Sequence, residues 1–229
     1  RQQRVREQAA LGKVRGAVWN LSRSDEFDDI MPAVRQAIID AGVPFRTSGV
    51  NVVDASTDPP RVMIALFDQS GRLEPKRVED VDNVALGFWR EQQVAYRRDL
   101  DSDDPYGERP YIRPPTRCVL DVPFSHGTLA VASPVPNAFD DHLEFLQQLA
   151  GVLSEGFRRA DDLRLLEERS RHLEREERRQ RRILETANEG FWLIDNDQVV
   201  LEANSALCTI LGRPRQEIVG HRIWDFLDE

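Results

Sequence analysis

The 229-residue chain has no run of about eighteen apolar residues, and its N-terminus lacks the apolar core of a signal peptide. We therefore expect no membrane contact within this chain. It contains only two cysteines, Cys118 and Cys208, which lie far apart inside apolar runs. This spacing argues against a disulfide scaffold and favours a reducing, cytoplasmic compartment. The chain begins without a methionine, which favours a piece of a longer protein.

Familiar catalytic and metal-binding motifs are also missing. The sequence has no CxxC pair, no HExxH pattern and no glycine-rich phosphate loop. His142 and His172 are each followed by Leu before the next Glu, unlike the usual surroundings of a phospho-accepting histidine. No ATP-binding box follows either. We therefore predict that the chain is not an enzyme, with no catalytic residues and no metal site.

Positive charge is the scarcer sign: 31 Lys and Arg stand against 40 Asp and Glu, for a net charge of -9. The one Arg-rich stretch, residues 169–182, is interleaved with Glu and is typical of a solvated helix. A phosphate-binding surface normally shows a clustered basic footprint. We therefore expect no nucleic-acid partner.

The longest helical pattern runs from Asn137 to Leu184. In heptads, its core positions form a seam that is apolar in places and polar between them. The apolar seam residues are Leu149, Val152, Leu163, Leu166 and Leu173, and the polar ones include Arg159, Ser170, Glu177 and Gln180. A helix this polar has little to bury alone, so the pattern predicts a parallel homodimer through the apolar seam residues. A single solvated spacer helix is the alternative.

Before this helix, the periodicity alternates between helix and strand. Residues 1–21 carry Leu11, Val14 and Val18 on a narrow apolar stripe, which predicts a helix that packs beside the long helix or against its own copy. The remaining predicted elements are a helix from the Ser24 cap to Gly42, strands 45–54 and 62–68, a helix 84–93, an Asp- and Pro-rich loop 99–115, and strands 117–124 and 128–133.

This layout, together with the sequence of several short segments, resembles a GAF domain of bacterial signalling proteins over about residues 20–160. The segments that carry the resemblance are 45–54, 63–68, 121–130 (Asp-Val-Pro-Phe-Ser-His-Gly-Thr-Leu-Ala), 137–139 and 146–157. The resemblance implies an antiparallel sheet flanked by helices. It also implies a pocket for a small molecule or chromophore on one face of the sheet, and frequently a dimer through the first and last helices.

A second resemblance follows the long helix. Residues 183–195 and 199–206, then Leu211-Gly212, 217–220 and 223–226, resemble the first half of a PAS domain, whose further strands are absent here. The predicted fold class is α+β: a GAF-like sheet, a long signalling helix and a partial PAS-like α/β unit. The predicted parts are an N-terminal dimerisation helix (1–22), a GAF-like sensor domain (23–157), a coiled-coil connector (158–182) and a truncated PAS-like domain (183–229).

Two groups of residues are candidates for the GAF-like pocket. Aromatic and cationic side chains that suit an anionic or planar ligand occur together in Trp89, Arg90, Tyr96 and Arg97. Asp121 and His126 stand beside the expected pocket mouth. For Trp89 a core position, and for His126 a turn residue bonded to backbone, are the structural alternatives. The sequence identifies no ligand or cofactor.

The function predicted from these features is that of a sensor region in a bacterial signalling protein. A GAF signal would pass through a dimeric coiled coil to the PAS-like part and then to an output module, a histidine kinase or a diguanylate cyclase. Two alternatives remain from the sequence: a dimerisation scaffold without a ligand, and a small enzyme using Asp121, His126 and nearby carboxylates.

Overall fold

The computed structural model describes residues 2–21, 30–68, 70–72, 77–79, 84–112 and 114–226. The chain divides into two compact units, Arg1–Arg164 and Leu165–Glu229. The predicted helix cap at Ser24 lies outside the described residues. Among the described helices, none is both long and apolar enough to cross a membrane. The predicted division of the chain into parts 1–22, 23–157, 158–182 and 183–229 stays a prediction.

The first unit contains a sheet of six described strands with helices on its faces. The strands are β1 (Thr47–Asp54), β2 (Arg61–Asp68), β3 (Arg77–Glu79), β4 (Ala95–Arg97), β5 (Cys118–Phe124) and β6 (Gly127–Ser133). Their order is β3-β2-β1-β6-β5-β4, and every neighbouring pair is antiparallel. The helices are α1 (Gln2–Trp19), α2 (Ile30–Asp40), α3 (Val84–Glu91) and the beginning of α4 (Leu143–Thr186).

Side chains alternate between the two faces of this sheet, because successive strand residues point in opposite directions. One face, which we call the helix face, buries Val50, Leu120 and Leu129 in the main core with α1, α2 and α4. The other face, which we call the polar face, carries Asn51 and Asp121. A smaller apolar cluster joins α3 to the polar face through Val53, Val62 and Leu86.

The apolar stripe of α1 is buried within its own chain. Leu11, Val14 and Val18 belong to the main core, and the Arg159 guanidinium of α4 donates to the Leu21 carbonyl. This is the first of the two packing arrangements expected for α1. This stripe is therefore not free to bind a second copy, and the dimerisation role predicted for residues 1–22 stays a prediction.

The long helix α4 differs from the prediction at its start and in its seam. It begins at Leu143, after a short 3-10 turn, Asp140–His142, and not at Asn137 as predicted. Leu149 and Val152 are fully buried in the core of their own chain. Their assignment to a dimer contact is therefore wrong, since a residue buried by its own sheet offers no surface to a partner.

The second unit contains a hairpin and small helices. Its elements are β7 (Trp192–Ile194), β8 (Val200–Ala203), α5 (Ser205–Leu211), α6 (Arg215–Ile218) and a 3-10 turn Ile223–Phe226. Val200, Leu207 and Ile218 are buried in a small core. Leu193 and Leu201 are exposed. Two described strands thus bury a few side chains on one side and leave apolar groups open on the other.

Candidate functional site

A buried ion cluster lies on the polar face where β4 and β5 pair. Ala95 of β4 stands opposite Asp121 of β5, so Arg97, two residues on, lies on the same face. The Arg97 guanidinium donates to the Asp121 carboxylate at 2.6 Å and to the Ala95 carbonyl at 2.7 Å. Only 1% of the Arg97 side chain is exposed. A buried guanidinium requires such compensation because its desolvation is costly.

Two polar side chains of neighbouring strands fix Asp121 in this position. Thr128 donates its hydroxyl to the Asp121 Oδ1 at 2.8 Å, and the Asn51 amide donates to the same oxygen at 3.1 Å. The Asn51 amide also donates to the Thr128 hydroxyl at 2.9 Å, and these two residues are cross-strand partners. The carboxylate is therefore held by the sheet itself, through a connected network.

A second carboxyl group reaches Arg97 from the segment between β4 and β5. Glu108 accepts from the Arg97 Nη2 at 3.3 Å, and its Oε2 lies 2.8 Å from the Arg97 Nε without hydrogen-bond geometry. Asp104 supports this segment by accepting from the backbone N–H of Glu108 and of Arg109, each at 2.9 Å. The irregular segment predicted at 99–115 thus carries a buried side chain into the polar face.

The ion cluster holds more negative than positive charge. Arg97 faces both Asp121 and Glu108, and Asp104 adds a further carboxylate near Glu108. Burial raises the pKa of the Glu108 carboxyl, and the neighbouring Asp121 and Asp104 add to this effect against the pull of Arg97. Glu108 therefore takes up a proton more readily than an ordinary glutamate.

Aromatic rings cover the guanidinium. The Arg97 Cζ lies 5.1 Å from the Phe88 ring centroid and 6.0 Å from that of Tyr106. Phe88 belongs to α3, Tyr106 belongs to the same segment as Glu108, and their rings meet edge to face at 4.9 Å. This arrangement gives the cation favourable ring contacts in addition to its ion pairs.

The turn between β5 and β6 connects α3 to α4. The Trp89 indole of α3 donates to the Ser125 carbonyl at 3.1 Å, and the Ser125 N–H donates to the Ser154 hydroxyl of α4 at 3.0 Å. His126 Nε2 lies 2.7 Å from the Asp161 carboxylate, and its ring stacks on Phe157 with centroids 4.9 Å apart. This turn therefore brings the Trp89 side chain of α3 close to side chains of α4.

The structure does not bring the predicted pocket residues together. Asp121 lies on the polar face, and Trp89 reaches its edge. Tyr96 packs on the helix face, where its hydroxyl accepts from the Phe139 N–H at 3.0 Å and burial raises its pKa. Arg90 is exposed on α3, and His126 contacts α4. Strand alternation explains the separation, because Tyr96 and its neighbour Arg97 must point to opposite faces.

Sequence reasoning missed Glu108, Asn51 and Thr128. Asn51 and Thr128 interrupt apolar strands, and buried polar residues in such runs generally hydrogen-bond to one another, so a signal for these two was present. Glu108 lies in a segment without periodicity, and nothing in the sequence singles it out. Only pairing of the strands and the path of the 99–116 segment bring these residues to Arg97.

In the second unit, Asn204 joins the end of α4 to the hairpin. Its side-chain amide donates to the Leu184 and Glu189 carbonyls at 2.9 Å each. Its side-chain oxygen accepts from the Phe191 N–H at 2.8 Å and from the Leu207 N–H at 2.9 Å, which caps α5. Asn204 is buried, and all four bonds go to backbone groups. One side chain therefore fixes the last turn of α4 relative to β8 and α5.

A cleft of about 240 Å³ lies beside this joint. Its lining residues come from the end of α4 and from the hairpin and α6: Arg181, Leu184, Glu185, Phe191, Glu202, Ala203, Asn204 and Arg215. Glu185 also accepts a hydrogen bond from the Ser205 hydroxyl. The lining mixes both signs of charge and selects no ligand class.

Neither thiol nor metal chemistry is indicated in the part of the chain that the structure describes. No group of three or more His, Cys, Asp or Glu side chains is placed there to hold a metal ion. Cys118 and Cys208 are both free thiols. Burial raises the pKa of the Cys118 thiol, which lowers its thiolate content and its nucleophilicity.

Comparison with solved structures identifies the fold of the first unit. The free methionine-R-sulfoxide reductase of Neisseria meningitidis, solved with its substrate, matches with a TM-score of 0.50 at 16% identity, over 68% of this chain and 90% of that chain. A structure described as a GAF domain matches with a TM-score of 0.50 at 15% identity, over 67% of this chain and 88% of that chain. The first unit has the GAF fold.

The PAS-like part follows the GAF unit. Residues 178–229 match a family model described as a PAS domain. No curated protein matches the chain significantly. The prediction of a GAF-like α+β unit, a long helix and a PAS-like segment is therefore confirmed. At these identities the structural matches show the fold of the GAF unit alone, while GAF and PAS domains together support a regulatory signalling role.

Proposed function

We propose that this chain is the sensor region of a bacterial signal-transduction protein, and that it acts as a regulator and not as an enzyme. A change in the GAF unit alters α4, which passes the change to the PAS-like segment and then to a histidine kinase or diguanylate cyclase output. The observation that carries this proposal is the turn at Ser125 and His126, which contacts α3 and α4 at once.

The joint at Asn204 supports the second step of this route. Rotation or fraying of the last turn of α4 would break the bonds from Asn204 to the Leu184 and Glu189 carbonyls. The oxygen of the same Asn204 side chain caps α5. Movement of its nitrogen away from the two carbonyls therefore also weakens the cap of α5. We assign this joint two arrangements, with these bonds made or broken, because such an element can pass on a change without a large motion.

The proposal includes a parallel homodimer through the second half of α4. Leu166 and Leu173 are 59% and 68% exposed, and Leu163 is only partly buried. Around them, Arg171 lies 3.5 Å from Glu167, and Arg178 lies 3.6 Å from Glu174, as on a solvated coiled-coil surface. A second copy in register would cover the leucines and leave these pairs in solvent.

The five predicted pocket residues enter the proposal with different roles. Asp121 belongs to the buried ion cluster, and Trp89 and His126 belong to the proposed route from that cluster to α4. Tyr96 and Arg90 stay candidates for ligand contact that the geometry does not favour, since they lie on the helix face and on exposed surface. A cytoplasmic location agrees with the free thiols of both cysteines.

Hydrogen exchange on the whole chain tests the route. His126→Gln removes the imidazole that contacts Asp161 and stacks on Phe157, and we expect altered exchange at the amides of Phe191 and Leu207. Lys13→Gln is the matched control, because it removes another exposed ion pair, Lys13 with Asp40, on α1 and α2. Unchanged exchange beyond residue 164 in His126→Gln would contradict the proposal.

A further inference from the structure

The two carboxyl groups on Arg97 are held very differently. Asp121 stands on a strand, is fixed by two neighbouring side chains and accepts from Arg97 at 2.6 Å. Glu108 comes from an irregular segment, accepts at 3.3 Å and presents its second oxygen 2.8 Å from Nε outside hydrogen-bond geometry. The Asp121 contact is thus part of the sheet, whereas the Glu108 contact is the looser of the two.

Charge also distinguishes the two contacts. Asp121 and Arg97 together form a neutral pair, so an ionised Glu108 adds an uncompensated negative charge to a buried cluster. Only 10% of the Glu108 side chain is exposed, and burial opposes its ionised form. The Glu108 contact therefore contributes less than the first pair, and a ligand carboxylate in its place brings the same charge, so its gain must come from better hydrogen-bond geometry at the guanidinium.

We propose that Glu108 is an internal occupant of a carboxylate-binding site, and that a small ligand with a carboxylate and a planar apolar group binds Arg97 in its place. The Nε and Nη2 edge of the guanidinium, which now faces the two Glu108 oxygens, offers two parallel donors to such a carboxylate. This inference rests on the proposed sensor function and names the ligand class that the sensor takes.

The planar part of the ligand is inferred from the rings. Tyr106 lies on the same segment as Glu108 and packs edge to face on Phe88 at 4.9 Å. When the segment leaves Arg97, both the carboxyl of Glu108 and the ring of Tyr106 leave with it, and the Phe88 ring is uncovered. A ligand that carries one carboxylate and one ring replaces both lost contacts.

A tethered occupant lowers the apparent affinity of a free ligand. Glu108 is presented to Arg97 at the effective concentration set by its short connection to β4, so an external carboxylate competes with it. Truncation of Glu108 removes the competitor and leaves Arg97, Asp121 and Phe88 in place. The site therefore predicts that loss of a native contact increases ligand affinity.

Calorimetric titration of the whole chain with benzoate tests the proposal, with benzamide as the neutral isosteric control. We expect Glu108→Ala to bind benzoate at least about tenfold more tightly than the natural chain, since a tethered competitor has been removed. Benzamide should not gain affinity, because it cannot form an ion pair with Arg97. Glu155→Ala, which truncates an exposed glutamate of α4, should leave benzoate affinity unchanged.

A folded Glu108→Ala chain that binds benzoate no more tightly than the natural chain would overturn the proposal. Equal gains for benzoate and benzamide would also overturn it, because binding would then owe nothing to the guanidinium. Should Glu108→Ala not fold, hydrogen exchange of the natural chain decides. Benzoate must accelerate exchange at the amides of Glu108 and Arg109, and unchanged exchange overturns the site.

The outcomes separate this site from the wider sensor function. Benzoate binding that leaves exchange beyond residue 164 unchanged supports the site and contradicts signal transmission along α4. If His126→Gln alters exchange beyond residue 164 but the chain does not bind benzoate, the sensor route is supported and the carboxylate site is overturned.

Discussion

The two halves of α4 carry similar leucine spacing but differ in what covers it. In the first half, Leu149 and Val152 are fully buried by the sheet of their own chain, whereas Leu166 and Leu173 in the second half are exposed. Periodic leucines therefore show that a helix has an apolar face, but not whether that face packs within one chain or between two. Only the tertiary structure shows which surface such leucines pack against.

The largest expected difference lies between matched leucine variants of these halves. Leu149→Ala should reduce the free energy of unfolding of the first unit by about 2–5 kcal/mol, because it leaves a cavity in a packed core. Leu166→Ala should change the stability of the monomeric chain by no more than about 0.5 kcal/mol, since its side chain is exposed. Urea unfolding followed by circular dichroism, at two protein concentrations, measures both.

The two leucine variants should also differ in how their stability depends on protein concentration. Leu166→Ala should lower stability only at concentrations where the natural chain dimerises, because the lost contact lies between copies. Equal losses for Leu149→Ala and Leu166→Ala at low concentration would contradict the contrast between the halves.

A smaller effect is expected at the joint in the second unit. Asn204→Ala should destabilise that unit by about 1–3 kcal/mol, because it leaves buried backbone groups without their hydrogen-bond partner. The amides of Phe191 and Leu207, which donate to Asn204, should exchange faster. Asn196→Ala, at an exposed turn residue, serves as the control. Unchanged protection of both amides would show that Asn204 does not hold the joint.

The buried cluster of the first unit should give stability a pH dependence. Burial raises the pKa of Glu108 in the folded chain, so the folded state binds more protons than the unfolded state between the two pKa values. Stability should therefore fall as pH rises from the ordinary glutamate range to the raised pKa. Urea midpoints measured across this range test the slope.

Glu108→Gln should lose this component of the slope, because glutamine does not titrate. Glu155→Gln, at an exposed position on α4, should keep it. Identical slopes in the natural chain and in Glu108→Gln would refute the role of the buried carboxyl.

The smallest effect is expected at the exposed pair between His126 of the β5–β6 turn and Asp161 of α4. His126→Gln should cost less than about 1 kcal/mol, since His126 and Asp161 are both partly solvated and exposed ion pairs contribute little. A double-mutant cycle with Asp161→Asn isolates the pair energy. A coupling well above that value would mean that the turn stabilises the unit, and not only connects α3 to α4.

The strands and helices could be predicted from sequence because their local patterns are strong. The β-branched run gave strand 62–68, observed as Arg61–Asp68, and the apolar stripe gave helix α1. The two sides of the hairpin at Ser125 and His126 were predicted to within a residue. Short-range periodicity determines these elements, so no tertiary information was needed.

The candidate site could be predicted only in part. Of the predicted pocket residues, Asp121 lies in the ion cluster, whereas Tyr96 points to the helix face. Glu108 has no periodic or motif signal, and its role depends on a chain path that brings it to Arg97. A site assembled from distant segments depends on tertiary structure, which local patterns do not encode.

Cysteine cross-linking tests whether the second half of α4 pairs with a second copy. Ser170→Cys changes a polar seam residue that a parallel, in-register dimer brings opposite its own copy, while Arg175→Cys lies on the outer side of the same helix. The account predicts rapid oxidation of Ser170→Cys to a covalent dimer, and little for Arg175→Cys or the natural chain. Equal cross-linking of the two variants, or none, would contradict it.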